Sequence, residues 1–171
     1  VANSISEKLI HRHPHIYGDV TVQDEEEVKK NWEALKLKEG KSSVLEGVPK
    51  GLPSLVKAQR IQDKVAGVGF DWEHPEQVWE TVQEELAELN AEVQNGTKER
   101  IESEIGDVLF SIVNLSRFLK INPDTALERT NQKFTKRFQY LEKKAATTGK
   151  KLHDMTLDEM DVIWEESKSE D

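Results

Sequence analysis

The sequence predicts an all-α protein, and three observations carry that prediction. No segment sustains the period-two alternation of a half-buried strand. Long stretches instead place apolar residues three and four apart, as amphipathic helices do. The five prolines and nine glycines mostly fall between those stretches, too few for the regular turn punctuation of a β-sandwich.

Taken in order, residues 2–12 read as the end of a helix, with Ile5 and Leu9 on one side and Pro14 and Gly18 as its stop. Asp24 suits the cap of a helix over residues 25–39, acidic in its first turn and striped by Val28, Trp32 and Leu35. Residues 40–53 hold three glycines and two prolines and form the expected linker. Ser54 is expected to cap a helix to about residue 66, with Leu55, Ala58, Ile61 and Val65 spaced for burial.

Gly67-Val68-Gly69 then breaks the chain before Phe70-Asp71-Trp72, a compact aromatic turn. Pro75 fits a first helical turn, and Val78, Val82, Leu86, Leu89 and Val93 stripe the helix that follows, stopped by Asn95-Gly96. Thr97 caps a helix over residues 98–120, whose Ile101, Ile105, Val108, Leu109, Ile112, Leu115 and Leu119 make it the most apolar segment and the expected central helix. Asn122 caps another, from Pro123 to about residue 147. The last begins near Thr156 or Asp158 and carries Met160, Ile163 and Trp164.

The chain of 171 residues suffices for one sizeable core or two small units sharing helices. Its net charge of −9 argues against a general nucleic-acid surface, which needs a basic stripe, but leaves room for a single nucleotide. No apolar run is long enough to span a bilayer and no signal peptide is read, so the expectation is a cytoplasmic protein without a membrane partner. With no cysteine, disulfides and cysteine catalysis are excluded.

An internal repeat organises the ends. Lys8-Leu9-x-x-Arg12 is echoed by Lys133-Phe134-x-x-Arg137, and each is followed after a loop by an acidic helix bearing a tryptophan, Trp32 or Trp164. Residues 1–39 are therefore expected to be the remnant of a first repeat and residues 54–168 a complete second one. The chain starts at Val1 without Met, consistent with a fragment.

The chemistry concentrates between Glu84 and Asp107. Glu85 and Glu88 are three residues apart, as are Glu104 and Asp107, so each pair shares a helical face. Both pairs border apolar stripes rather than facing away from them. Four carboxylates meeting at a helix seam repel one another unless a cation neutralises them. All-oxygen donors without Cys point to Mg²⁺, with Mn²⁺ as the alternative. Gly106, unfavourable inside a helix by about 1 kcal/mol against Ala, suggests close approach of a helix or ligand.

Other clusters weigh less. No histidine follows these glutamates at the spacing a di-iron site needs. His11, His13 and His15 flank Pro14 and read as a turn. Lys133, Lys136 and Arg137 could contact phosphates, or merely complement a helix dipole near its end.

The acidic pairs, Gly67-Val68-Gly69-Phe70-Asp71-Trp72, Gly106-Asp107-Val108-Leu109-Phe110 and Asn131-Gln132-Lys133-Phe134-x-x-Arg137 together resemble the MazG family of the all-α nucleoside triphosphate pyrophosphatase superfamily. The resemblance covers nearly the whole chain. It implies the helical NTP pyrophosphatase fold, a four-helix-bundle-like core completed by homodimerisation, and Mg²⁺-dependent hydrolysis of NTPs and dNTPs to monophosphate and pyrophosphate. By motif position, Glu85, Glu88, Glu104 and Asp107 match the metal ligands. Lys133 and Arg137 match basic residues by the phosphates, with Lys136 beside them, and Trp164 matches a late tryptophan by the nucleotide.

Segments 81–85 and 100–103 would line the same pocket, bringing in Thr81, Glu84, Arg100 and Ser103. Ser103 stands where relatives can carry an acidic run. Glu84 or Glu85 is the expected group orienting the attacking water, with Lys133 and Arg137 stabilising the leaving pyrophosphate. The apolar load on the two helices bearing the carboxylates independently suggests a seam between two chains. Two alternatives remain: a narrower substrate, as in the related dUTP or phosphoribosyl-ATP pyrophosphohydrolases, or a non-catalytic helical dimerisation module.

Overall fold

The computed structural model describes residues 43–170 together with residues 6–7, 9–11, 14–18 and Val28. Among the described residues every regular element is helical. Five helices dominate: α1 Ser54–Ala66, α2 Pro75–Asn95, α3 Lys98–Phe118, α4 Pro123–Thr147 and α5 Leu157–Ser167. The expected helix over residues 25–39 lies outside the described residues apart from Val28, as do Lys8, Arg12 and Trp32 of the repeat. Beyond the residue expected to stop the first helix, Pro14–Tyr17 form a further helical turn. No helix among the described residues is long and apolar enough to cross a membrane.

The chain forms two compact units, Val1–Ile121 and Asn122–Asp171. In the first, α2 and α3 pack most extensively against each other. Only Gly96 and Thr97 join them, a connection so short that the helices must run antiparallel. The Gly96 amide donates to the Glu92 carbonyl at 2.6 Å and closes α2. The Thr97 hydroxyl accepts from the Arg100 amide and opens α3 as expected.

Val78, Val82 and Val113 are the buried apolar core of this unit. The stripes read from the sequence are only partly covered: Leu86 and Val93 on α2, Ile105, Leu109 and Ile112 on α3, and Leu119 at the C-cap of α3 are exposed. On α1 the outcome differs from expectation in kind. Leu55, Ala58, Ile61 and Val65 are half-buried, while the buried residues are Gln62 and Lys64. Gln62, 3% exposed, donates through Nε2 to the Phe110 carbonyl at 2.8 Å and so ties α1 to α3. Ser54 is the first residue of α1 and not its cap; Pro53 precedes it and supplies no side-chain bond.

The aromatic turn is held by a bond the sequence did not suggest. Arg117 on α3 grips Asp71 through both terminal nitrogens, at 2.9 and 2.5 Å. The same guanidinium donates twice to Asn114 Oδ1, at 3.1 and 2.8 Å, and lies over the Phe118 ring. Fork-to-fork geometry makes this the strongest kind of surface ion pair. The turn is thereby fastened to the last two turns of α3.

Three helices end with the same pair of reversed hydrogen bonds. Phe70 N–H reaches the Val65 carbonyl and Gly69 N–H the Ala66 carbonyl; Lys150 with Ala145 and Gly149 with Ala146 repeat the pattern. At the end of α3, Ile121 bonds Ser116 and Lys120 bonds Arg117. This motif puts its penultimate residue in the left-handed region. Gly69 and Gly149 take it at φ 88° and 71°, but at α3 the residue is Lys120, at φ 58°. A side chain there costs about 1 kcal/mol. Lys120→Gly is therefore expected to raise stability by about 1 kcal/mol, read as a higher urea midpoint with an unchanged slope.

In the second unit, Asn122 caps α4 by accepting from the Thr125 amide at 2.9 Å. Thr156 and Glu159 form a reciprocal capping box that starts α5. α5 lies along α4, with Lys150 pairing Glu159 and Lys144 pairing Glu166. Leu141 and Ala145 are buried in this unit.

Candidate metal and nucleotide site

The α2–α3 hairpin explains why two carboxylate pairs distant in sequence meet. At 1.5 Å per residue, Glu88 lies about 12 Å before Gly96 and Glu104 about 10 Å beyond Thr97. Glu85 and Asp107 sit one turn higher, at about 16 and 15 Å. The i, i+3 spacing on each helix then turns both pairs toward matching levels of the neighbour.

Carboxylate oxygens of Glu85, Glu88 and Glu104 come within 4.8 Å of one another. Asp107 is not within that trio, yet among the charges around Glu85 it acts most strongly. Burial raises the Glu85 pKa from its ordinary value, and Asp107, Glu88, Glu104 and Glu84 raise it further. Glu104 is raised likewise, by burial first and then by Glu88, Asp107 and Glu92. Among the described residues no Lys or Arg pairs with any of these four carboxylates. The nearest ion pair on the hairpin joins Arg100 to Glu92 at 3.7 Å, and Arg100 is largely exposed. A cluster of hard oxygen donors that mutually resist ionisation, without a pairing cation among the described residues, fits a hard divalent metal.

The sign of those shifts sets a pH dependence. A carboxyl whose folded pKa is raised binds more protons in the folded chain than in the unfolded one. Its contribution to stability is fully present below the ordinary value of 4.5 and is lost as pH rises through the raised values. Millimolar Mg²⁺ is expected to offset this loss. The metal-induced rise in melting temperature should thus be larger at pH 7 than at pH 5, measured by paired thermal scans.

Of the neighbouring residues expected in the pocket, Thr81 is half-buried and donates to the Gln77 carbonyl, while Glu84, Arg100 and Ser103 are exposed. Among the described residues Gly106 marks no close approach between helices. A Cβ there would meet nothing within 4 Å among the described residues.

Lys133, Lys136, Arg137 and Trp164 lie in the second unit. The dipole account of the basic residues fails on placement. They occupy the middle of the 25-residue α4, where no helix end is near enough to stabilise a cation. The Trp164 ring rests against Phe134, with centroids 5.0 Å apart. Neither Phe134 nor the Asp71–Arg117 tie was singled out as a site from the sequence. The i, i+3 place of Phe134 relative to Arg137 was the available signal.

A helical hairpin with converging carboxylates defines a class of all-α domain able to hold a metal ion. Within it, the profile of the MazG nucleotide pyrophosphohydrolase domain matches residues 73–141, which take in every expected site residue except Trp164. The chain is 40% identical over its full length to the nucleoside triphosphate pyrophosphohydrolase/pyrophosphatase MazG of Thermotoga maritima, covering 66% of that protein. It is 35% identical over its full length to the nucleoside triphosphate pyrophosphohydrolase of Escherichia coli K12, covering 67% of it. A Bacillus subtilis protein described as uncharacterized protein YabN is 47% identical over 98% of the chain, which covers 35% of that protein. The chain belongs to the MazG nucleotide pyrophosphohydrolase family. It spans about two thirds of the length of the two named pyrophosphohydrolases.

Proposed function

We propose that the chain is an Mg²⁺-dependent nucleoside triphosphate pyrophosphohydrolase, converting NTPs and dNTPs to the monophosphate and pyrophosphate. The observation that carries this reading is the Glu85–Glu88–Glu104 cluster on the hairpin, which no Lys or Arg among the described residues pairs. The pyrophosphohydrolase names of the Thermotoga and Escherichia relatives support the substrate class.

Glu85, Glu88, Glu104 and Asp107 would hold Mg²⁺, which when bound supplies charge neutralisation for the triphosphate and acidifies water. Glu84, exposed and outside the carboxylate trio, is available to orient the attacking water, with Glu85 the other candidate. Water adds to the α-phosphorus as the bond to the bridging oxygen breaks, and that oxygen leaves with pyrophosphate. Lys133 and Arg137 meet the charge growing on the leaving group, with Lys136 beside them. Thr81, Arg100 and Ser103 line the substrate pocket, and Trp164 stacks on the base. The family resemblance, not a measured arrangement, is what joins the acidic and basic sets on one nucleotide.

Residues 54–168 act in this reading as a complete second repeat, preceded by linker residues 40–53 and the remnant in residues 1–39. A homodimer goes with it: Trp79, Leu86 and Val93 are exposed at seven-residue intervals on α2, and Ile105, Leu109 and Ile112 are exposed at intervals of four and three on α3. Such a stripe suits a helix-on-helix seam with a second copy. The cytoplasm, where nucleoside triphosphates and Mg²⁺ are plentiful, is the corresponding location.

Pyrophosphate release across the NTPs and dNTPs, with and without Mg²⁺, tests the reading. Broad metal-dependent turnover is expected. Turnover of a single nucleotide would replace it with a narrower activity, and none at all would leave a dimerisation module.

A further inference from the structure

We propose that Phe134 is a positioning residue for the nucleotide base, its ring holding the Trp164 indole as the wall on which the base stacks. This rests on the reading of Lys133, Arg137 and Trp164 as nucleotide-binding residues. The Phe134 and Trp164 rings lie 5.0 Å apart and tilted by 53°, within the range where aromatic pairs attract through their quadrupoles. Phe134 also stacks on Phe138 one turn further along α4, at 6.3 Å and 8°. Both members of the phosphate-facing pair are its neighbours: Lys133 directly precedes it and Arg137 follows at i+3.

Core packing does not account for this phenyl ring. Phe134 is 56% exposed, whereas Leu141 and Ala145, further along the same stripe, are buried. A residue so exposed gains little from leaving water. What an aromatic ring supplies there, and an aliphatic chain does not, is a rigid edge that restricts the half-buried indole to one orientation. A wall fixed in advance loses less freedom when a ligand stacks on it. The row of aromatic rings beside two cations matches a flat base joined to a chain of phosphates.

The test compares Phe134→Leu, Phe134→Tyr and Trp164→Leu in steady-state hydrolysis of ATP and CTP. Binding of inorganic tripolyphosphate, which has phosphates but no base, is measured beside it. For Phe134→Leu we expect KM to rise about fivefold for both nucleotides, kcat to stay within about twofold, and tripolyphosphate binding to be unchanged. Phe134→Tyr keeps the ring and should keep the original KM. An unchanged KM in Phe134→Leu overturns the proposal. So does an equal loss of tripolyphosphate affinity, or a fall in kcat alone, since either marks a structural role. Where leucine lowers the helical circular-dichroism signal, Phe134→Met is read in its place against the same outcomes. Trp164→Leu separates the two levels. If it raises KM while Phe134→Leu does not, only the positioning role falls; if it too leaves KM unchanged, the nucleotide reading of Trp164 falls with it.

Discussion

Glu88→Gln is expected to lower Mg²⁺-dependent pyrophosphate release by on the order of a hundredfold or more while the helices stay folded. Glu88 is exposed, so the isosteric amide meets no packing penalty. It removes one of three carboxylates whose oxygens lie within 4.8 Å of one another, and with it one of the ligands proposed for the cation. The same change relieves repulsion on Glu104, for which Glu88 is the strongest neighbouring charge. The metal-free variant should therefore melt no lower than the parent, and its melting temperature should respond less to Mg²⁺. Unchanged turnover in Glu88→Gln would remove the metal assignment.

The second large effect is structural and lies at the other end of α3. Arg117→Met should cost about 2–4 kcal/mol, a drop of roughly 5–10 °C in melting temperature. The Arg117 side chain is 16% exposed and that of Asp71 27%, so the charge-assisted bonds to Asp71 and Asn114 are only partly shared with water. Their loss leaves the Asp71 carboxylate without its guanidinium partner. A double-mutant cycle with Asp71→Asn separates the pair energy from the packing of the arginine stem over Phe118. Additive losses in that cycle would show that the pair itself contributes nothing.

The helices and their caps were legible because they are local. Thr97, Asn122 and Thr156 are each followed within three residues by the amide they bind. The clustering of the carboxylates was legible for a related reason. Two i, i+3 pairs separated by a two-residue connection can converge in very few ways, and the trio formed with Asp107 just outside it. Burial was read less well. Hydropathy marked Leu86 and Val93 for the interior, but no second element among the described residues covers them, and both stay exposed. The same scale marked Gln62 for solvent, although its amide serves a carbonyl 48 positions away. Long-range polar bonds of this kind, the Arg117–Asp71 tie included, leave no periodic trace. Lys120 escaped notice because its left-handed backbone belongs to a motif normally announced by glycine.

The two-residue link at Gly96 and Thr97 makes chain counting part of the chemistry. One residue added within α3 between Thr97 and Glu104 would advance Glu104 and Asp107 by about 1.5 Å and swing them by roughly 100° around the helix. Residue identity could be preserved at every charged position and the cluster would still disperse. An insertion there would keep every carboxylate of the sequence and still take apart the Glu85–Glu88–Glu104 cluster, so the length of this hairpin matters to the cluster as much as the identity of its residues.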